Sequence, residues 1–206
     1  MHGDEPAAPW ALHALVRDRL LDDRFGYRIW PCLNPTGYEL GTRSNAEGDD
    51  INRSFSRGGR TPEAKALITS NRDRTFALSI DLHEDFEAEG FYAYEPLRAG
   101  EPERYLVAVI AALEDAGFPI QDLGGPEFDL GTPAEARAAY HFGHGRVIVD
   151  AQAEGRFFPD GLPLSLYLLQ RAARATLTFE TPMTRPWDER IAMHRIAVTS
   201  ALSRAG

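Results

Sequence analysis

Apolar residues recur at helical spacing in several stretches of the chain, and apolar runs typical of strands lie between them. The spacing predicts helices over residues 6–21, 62–72, 102–116, 164–172 and 187–203. The apolar runs predict strands over residues 27–33, 75–82, 90–94 and 175–179. Because strands and helices alternate, the pattern favours an α/β domain with a largely parallel sheet.

Two long stretches do not fit this alternation. Residues 119–161 are punctuated by Gly and Pro and carry no clear assignment. Residues 38–60 are polar and rich in Gly, Asn, Asp and Arg, which predicts a loop. A loop of that length in a compact domain is usually functional, so candidate chemistry is expected there.

Composition and charge argue against several classes of function. The 206 residues carry a net charge of −9, which repels phosphate backbones and argues against a nucleic-acid partner. No apolar run reaches the roughly 20 residues that span a bilayer, so no membrane partner is expected. Residues 1–5 lack the basic and apolar regions of a secretion signal, which leaves a cytoplasmic location as the default expectation.

The cysteine count restricts the ligands that a metal could have. Cys32 is the one cysteine of the chain, and it lies in an apolar run where a buried, inert thiol is expected. A thiolate zinc site and a disulfide framework are both excluded by this count. Any metal must therefore be held by His, Asp or Glu.

Four polar clusters need an explanation, and three of them follow a predicted strand, where ligands bind in open α/β sheets. The first cluster runs from His2 to Glu5, ahead of the first helix. A histidine and a carboxylate three residues apart can reach one metal ion from a tight loop, and Gly3 lets the backbone turn sharply. A merely polar chain start is the alternative.

The second cluster, residues 81–84, closes an apolar strand and adds His83. With the first cluster it gives two histidines and one glutamate, a known catalytic zinc set that leaves the fourth position open for water. Asp81 or a backbone carbonyl could orient an imidazole. A capping or surface histidine is the alternative.

The third cluster lies in the long polar stretch, and the fourth lies at the end of the last predicted strand. Arg43 and Arg53, with two asparagines, suit an anion because Arg binds carboxylates in bidentate fashion. A solvated loop is the alternative there. Glu180 precedes Thr181-Pro182 and is well placed for a general base whose pKa burial would raise. An exposed strand-end carboxylate is the alternative.

Taken in order, the clusters resemble the zinc carboxypeptidase family, including its murein-peptide amidase and succinylglutamate desuccinylase–aspartoacylase relatives. His2-x-x-Glu5 resembles the first metal motif, His83 the third ligand, and Glu180 the catalytic glutamate. The family's substrate-recognition segment is similar to Asn34-Pro35-x-Gly37, Arg43, Asn45 and Asp50-Ile51-Asn52-Arg53-x-Phe55.

This resemblance implies a fold and a cofactor. The fold would be zinc carboxypeptidase-like (phosphorylase/hydrolase-like), with a mixed, mainly parallel sheet sandwiched by helices. Zn²⁺ would lie at the carboxyl edge of the sheet, held by His2, Glu5 and His83. Residues 1–206 would form a single catalytic domain without the strands that usually precede the first metal motif.

The resemblance also implies roles for side chains around the metal. Glu180 would move a proton from metal-bound water to the leaving amine, and Arg43 would stabilise the developing oxyanion. Asn52 and Arg53 would bind a terminal carboxylate of the substrate. Tyr140 is a candidate for the tyrosine that covers the substrate in this family, with an ordinary packing tyrosine as the alternative.

These implications predict a zinc metallohydrolase of the metallocarboxypeptidase type, a protease that cleaves an amide bond next to a free carboxylate in a small peptide. An N-acyl amino acid deacylase is the first alternative, and a catalytically silent binding domain that keeps the fold is the second. Phe157 and Phe158 would form an apolar wall of the pocket or belong to the core. The sequence leaves the oligomeric state open.

Overall fold

The structure is a computed structural model that describes residues 1–124 and 139–205. In this part of the chain, the strands are β1 (Phe76–Asp85), β2 (Tyr92–Leu97), β3 (Tyr140–Gly143), β4 (Arg146–Asp150) and β5 (Ala173–Pro182). The helices are α1 (Ala7–Arg17), α2 (Pro35–Leu40), α3 (Pro62–Ser70), α4 (Leu106–Asp115), α5 (Ala151–Glu154), α6 (Leu164–Arg171) and α7 (Trp187–Ser203). Two 3₁₀ turns cover Ile51–Arg53 and Gly155–Phe157.

The five strands form one mixed sheet in the order β1-β5-β2-β4-β3. β1 pairs with β5 and β2 with β4 in parallel, while the β2–β5 and β3–β4 pairs are antiparallel. Helices α1, α4 and α7 pack on one face of the sheet through a shared apolar core. Helices α3 and α6 contribute to a second, separate apolar core. This mixed sheet flanked by helices confirms the predicted fold class.

Register places the polar side chains of three neighbouring strands on one face of the sheet. Glu180 of β5 lies opposite His83 of β1 on one side and Tyr92 of β2 on the other. Successive side chains of a strand point to opposite faces of the sheet. Leu82 and Phe179, one position before His83 and Glu180, therefore point to the other face and belong to the apolar core there. One face of the sheet is therefore packed, and the other carries the polar groups.

The strand predicted over residues 27–33 is wrong. These residues form no strand in the described structure, and Tyr27 and Ile29 are 39% and 37% exposed. A strand needs a hydrogen-bonded neighbour, and none of the described strands pairs with this run. Cys32, predicted to be buried, is exposed for the same reason.

The remaining helices and strands lie close to their predicted positions, and α7 matches its prediction at both ends. In the segment without an assignment, the structure places β3, β4 and α5. Residues 125–138 of that segment lie outside the described residues. No described helix is long and apolar enough to cross a membrane.

Candidate metal centre and active site

His2, Glu5 and His83 come together at the carboxyl end of β1. One potential ligand atom from each lies within 4.8 Å of the others, and all three side chains are buried. The carboxylate of Glu5 bridges the histidines, with Oε1 at 2.5 Å from His2 Nδ1 and Oε2 at 2.7 Å from His83 Nδ1. The three side chains can therefore converge on a single ion.

A second carboxylate holds the far nitrogen of each imidazole. His83 Nε2 lies 3.1 Å from Asp81 Oδ2, and His2 Nε2 lies 3.2 Å from Asp50 Oδ1. Such carboxylates fix the ring orientation and make the other nitrogen a stronger ligand. Asp81 was a candidate for this position from the sequence. Asp50 was not, although it belongs to the recognised loop motif.

The electrostatics of the cluster suit a positive charge. Burial alone would lower the pKa of His83, but the carboxylates of Glu5 and Asp81 raise it well above its usual value. Burial would likewise raise the pKa of Glu5, yet the nearby His83 and His2 lower it well below its usual value. Two imidazoles and one carboxylate fit a divalent metal ion, and the buried carboxylates would offset its charge.

The loop that carries His2 and Glu5 is anchored to three other elements. Glu84 Oε2 accepts the Ala7 N–H at 2.7 Å, and Arg190 of α7 donates to Glu84 Oε1 at 2.6 Å. The Gly3 N–H donates to the Thr42 carbonyl at 3.0 Å. These bonds join the start of α1 to β1, α7 and the long polar stretch, so the ligands near residue 1 are firmly positioned.

Arg43 lies beside the ligand cluster at the mouth of the site. Its Nη1 is 3.2 Å from His2 Nδ1, and its Nε and Nη2 donate to Asp50 Oδ2 at 3.2 and 3.1 Å. The guanidinium is half exposed. Asp50 thus orients both a potential ligand and a cation that can reach a bound molecule.

Asn52 and Arg53 line the same cavity through the 3₁₀ turn that follows Asp50. Asn52 Oδ1 accepts the Leu164 N–H at 2.9 Å, which ties this turn to the start of α6. The Arg53 guanidinium lies 4.9 Å from the ring centroid of Phe158, a cation–π contact that holds its exposed end over the cavity.

Glu180 lines the cavity next to His83, its partner in the β-ladder. The pKa of Glu180 is raised to about 8, chiefly by burial and also by the carboxylates of Glu5 and Asp85, while His83 opposes the shift. A carboxyl group with a pKa near neutrality can both accept and donate a proton, as a general base that later acts as an acid must.

The cavity that contains these groups measures about 580 Å³ and extends across the polar face of the sheet. Tyr92, Tyr94, Pro96 and Thr178 line the cavity from the sheet, and both Phe157 and Phe158 also line it. The expected apolar wall therefore exists in the structure, and each phenylalanine also packs partly against a core cluster.

Tyr140 lies in β3 and also lines the cavity. It is buried, its ring stacks on that of Phe142, and its hydroxyl donates to Glu154 Oε1 at 2.6 Å. This placement makes it part of a fixed wall. Glu154 was missed by sequence reasoning because it lies in the segment without an assignment and belongs to no motif.

Comparison with known proteins identifies the same fold. A protein from Shewanella amazonensis that is provisionally classed as a metallopeptidase superposes with a TM-score of 0.69 at 23% identity, over 98% of this chain and 73% of that chain. A succinylglutamate desuccinylase/aspartoacylase from Rhodobacter sphaeroides gives 0.54 at 19% identity, over 98% of this chain and 52% of that chain. The chain therefore shares the fold of these two proteins.

Sequence comparison identifies the family of the chain. The chain belongs to the succinylglutamate desuccinylase/aspartoacylase catalytic domain family, whose model matches residues 1–203. A curated relative, carboxypeptidase SOL1 of Arabidopsis thaliana, is 32% identical over 103 residues. That match covers 40% of this chain and 21% of the relative, so the chain spans a small part of that protein's length.

Proposed function

We propose that this domain is a zinc-dependent hydrolase that cleaves an amide bond next to a free carboxylate in a small peptide. The observation that carries the proposal is the convergence of His2, Glu5 and His83 at one end of a cavity that Glu180 and Arg43 also reach. Metallopeptidases and a carboxypeptidase among the similar proteins support this reaction class. A single domain over residues 1–206 and a cytoplasmic location stay predictions.

Zn²⁺ bound by the two histidines and Glu5 would lower the pKa of a coordinated water and polarise the scissile carbonyl. Glu180 would accept a proton from the water whose oxygen adds to the carbonyl carbon, and it would donate that proton to the amine as the C–N bond breaks. Its raised pKa keeps the proton available for the second step. His83 and Glu180 act from the sheet, and His2 and Glu5 act from the loop ahead of α1.

The two arginines bind different negative charges of the reacting substrate. Arg43 lies beside the histidine ligands and donates to the carbonyl oxygen as negative charge develops on it, a stabilisation that typically contributes about 3–4 kcal/mol. Arg53 and the Asn52 amide bind the substrate carboxylate. Since Asn52 Oδ1 already accepts the Leu164 N–H, its Nδ2 group is oriented for donation. Tyr140 contributes to the wall that positions the substrate.

An N-acyl amino acid deacylase is the alternative reaction, supported by the family's description and by the desuccinylase among the similar structures. Both reactions use the same metal, base and carboxylate site. They differ in the group on the acyl side of the scissile amide. A panel of dipeptides and N-acyl amino acids that share one released amino acid separates them by the ratio of kcat/KM.

The proposal is tested by loading the purified protein with zinc, measuring metal content, and following hydrolysis of that panel. We expect about one zinc per chain and a fall of at least 100-fold in kcat for Glu180→Gln with zinc retained. Glu114→Gln, on the exposed surface of α4, is the matched control and should leave kcat unchanged. Hydrolysis that survived Glu180→Gln would overturn the mechanism. Zinc binding without hydrolysis of any substrate would favour the silent binding domain.

A further inference from the structure

A second carboxyl group, Glu154, lines the cavity away from the metal ligands. It ends α5 and is 8% exposed, and the Tyr140 hydroxyl donates to its Oε1 at 2.6 Å. Burial raises the pKa of Glu154, so the folded chain pays a cost to keep an anion there. The proposed reaction uses neither this charge nor this position.

The other buried or half-buried carboxylates on the cavity wall have partners within the fold or a task in the reaction, and Glu87 is exposed to solvent. Glu84 is paired with Arg190 and the Ala7 N–H. Asp85 accepts the Tyr92 hydroxyl at 2.6 Å and two backbone N–H groups. In the described part of the chain, no cation lies within ion-pair distance of Glu154, and Tyr140 is its one hydrogen-bonding partner.

Several apolar and aromatic side chains line the cavity together with Glu154. Among them are Val149, Pro96 and Phe157. Arg53 is near enough to lower the pKa of Glu154, but its guanidinium lies over Phe158. The cavity therefore offers a cation for a substrate carboxylate and, separately, an anion in an apolar wall.

We infer that Glu154 determines specificity by pairing with the positively charged side chain of the amino acid that the enzyme releases. The inference rests on the proposed function, in which Arg53 binds the carboxylate of the same amino acid. A lysine-like side chain has an aliphatic stem for the apolar wall and an ammonium group for Glu154. Tyr140 is a positioning residue that fixes the Glu154 carboxylate by its hydrogen bond.

Pairing also explains how a neutral side chain would be rejected. A substrate that fills the wall without a cation buries Glu154 with its charge uncompensated, and sites with unpaired buried polar groups discriminate strongly. Lysine and norleucine have the same linear side chain apart from the ammonium group. They are therefore a matched pair of probes for this carboxylate.

The test measures binding of free lysine and norleucine, the released products, to the zinc-loaded protein by calorimetry. We expect lysine to bind at least about tenfold more tightly, and Glu154→Gln to reduce that ratio to about one. Tyr140→Phe should lower the ratio less and in the same direction. Glu47→Gln, which removes the same charge from an exposed position outside the cavity, should leave the ratio within about twofold.

Equal binding of the two probes to the unmodified protein, or a ratio that Glu154→Gln leaves unchanged, would overturn the inference. The comparison of lysine and norleucine on the unmodified protein needs no variant, so it tests the inference even if Glu154→Gln does not fold. Binding is read without turnover, which separates this inference from the proposed reaction. Where hydrolysis occurs, the same preference should appear in kcat/KM for peptides ending in lysine and norleucine, mainly through KM.

Discussion

The carboxylate of Glu84 accepts the backbone N–H of Ala7 at 2.7 Å, across a separation of 77 residues. This bond fixes the first turn of α1 against β1. His83 directly precedes Glu84 on β1, and Glu5 lies two residues before Ala7, just ahead of α1. Arg190 holds the other oxygen of the same carboxylate. The distance between the two ligand-bearing segments is thus set by a residue that is not itself a candidate ligand.

Glu84→Ala should therefore weaken metal binding and stability together. It leaves Arg190 partly buried without its partner, which costs about 3 kcal/mol, and it frees the loop that carries Glu5. We expect roughly tenfold weaker zinc binding, measured by competition with a chelator. Glu189→Ala, which breaks a more exposed ion pair with Arg185 just ahead of α7, should cost less than about 1 kcal/mol and leave zinc affinity unchanged. Equal zinc affinities for the two variants would contradict the anchoring role.

The carboxylates behind the histidines give a second prediction. Asp81→Asn and Asp50→Asn should each lower zinc affinity by about 10- to 100-fold, because the imidazoles lose the groups that orient them. Asp50 also binds Arg43, so Asp50→Asn should in addition lower kcat at saturating zinc, whereas Asp81→Asn should lower it less. Asp49→Asn, next in the chain and exposed, is the control for charge alone. A fall in zinc affinity for Asp49→Asn as large as that for Asp50→Asn would refute this account.

The parts of the site that the sequence predicted are those carried by local motifs. Glu5 and His83 stand in short segments beside a helix start and a strand end, and such segments can be read from residue types alone. Glu180 was readable in the same way at the end of β5. The structure adds that His83 and Glu180 are direct ladder partners, a register that depends on strand pairing between residues about 100 positions apart.

The parts that could not be predicted depend on distant contacts. Asp50 lies 48 residues from His2, and only the fold shows that the two bond. Glu154 lies in a segment whose short strands and Gly-rich turns have no clear period. The wrong strand prediction at residues 27–33 arose because an apolar pattern is visible in the local sequence. Whether a run has a neighbouring strand to pair with depends on the whole fold, which the local pattern does not contain.

The raised pKa of Glu180 predicts how stability depends on pH. Its ordinary value is 4.5 and its folded value is about 8, so the folded chain binds this proton more tightly than the unfolded chain. In zinc-free protein, the contribution of Glu180 to stability is fully present below pH 4.5 and is lost as pH rises to about 8. Glu180→Gln cannot titrate, so it should gain stability relative to the unmodified protein across this interval.

Chemical denaturation at several pH values in the presence of a chelator measures this difference. Bound zinc should reduce it, because a nearby cation favours the ionised form of Glu180. Parallel stability curves for the two proteins between pH 4.5 and 8 would show that Glu180 keeps an ordinary pKa in the fold. Glu114→Gln, on the exposed surface of α4, provides the baseline for loss of a carboxylate without burial.

The contact between Gly3 and Gly37 gives the last prediction. A Cβ atom on Gly3 would lie 1.9 Å from the carbonyl carbon of Gly37, so the ligand loop cannot take a larger residue without moving. Gly3→Ala should cost more than about 2 kcal/mol of stability and weaken zinc binding, because His2 and Glu5 flank the displaced backbone. Gly26→Ala adds the same methyl group where no atom lies within 4 Å, and it should change stability by less than about 0.5 kcal/mol. Denaturation and chelator competition on both variants test the prediction, and unchanged zinc affinity for Gly3→Ala would mean that the ligand loop tolerates displacement.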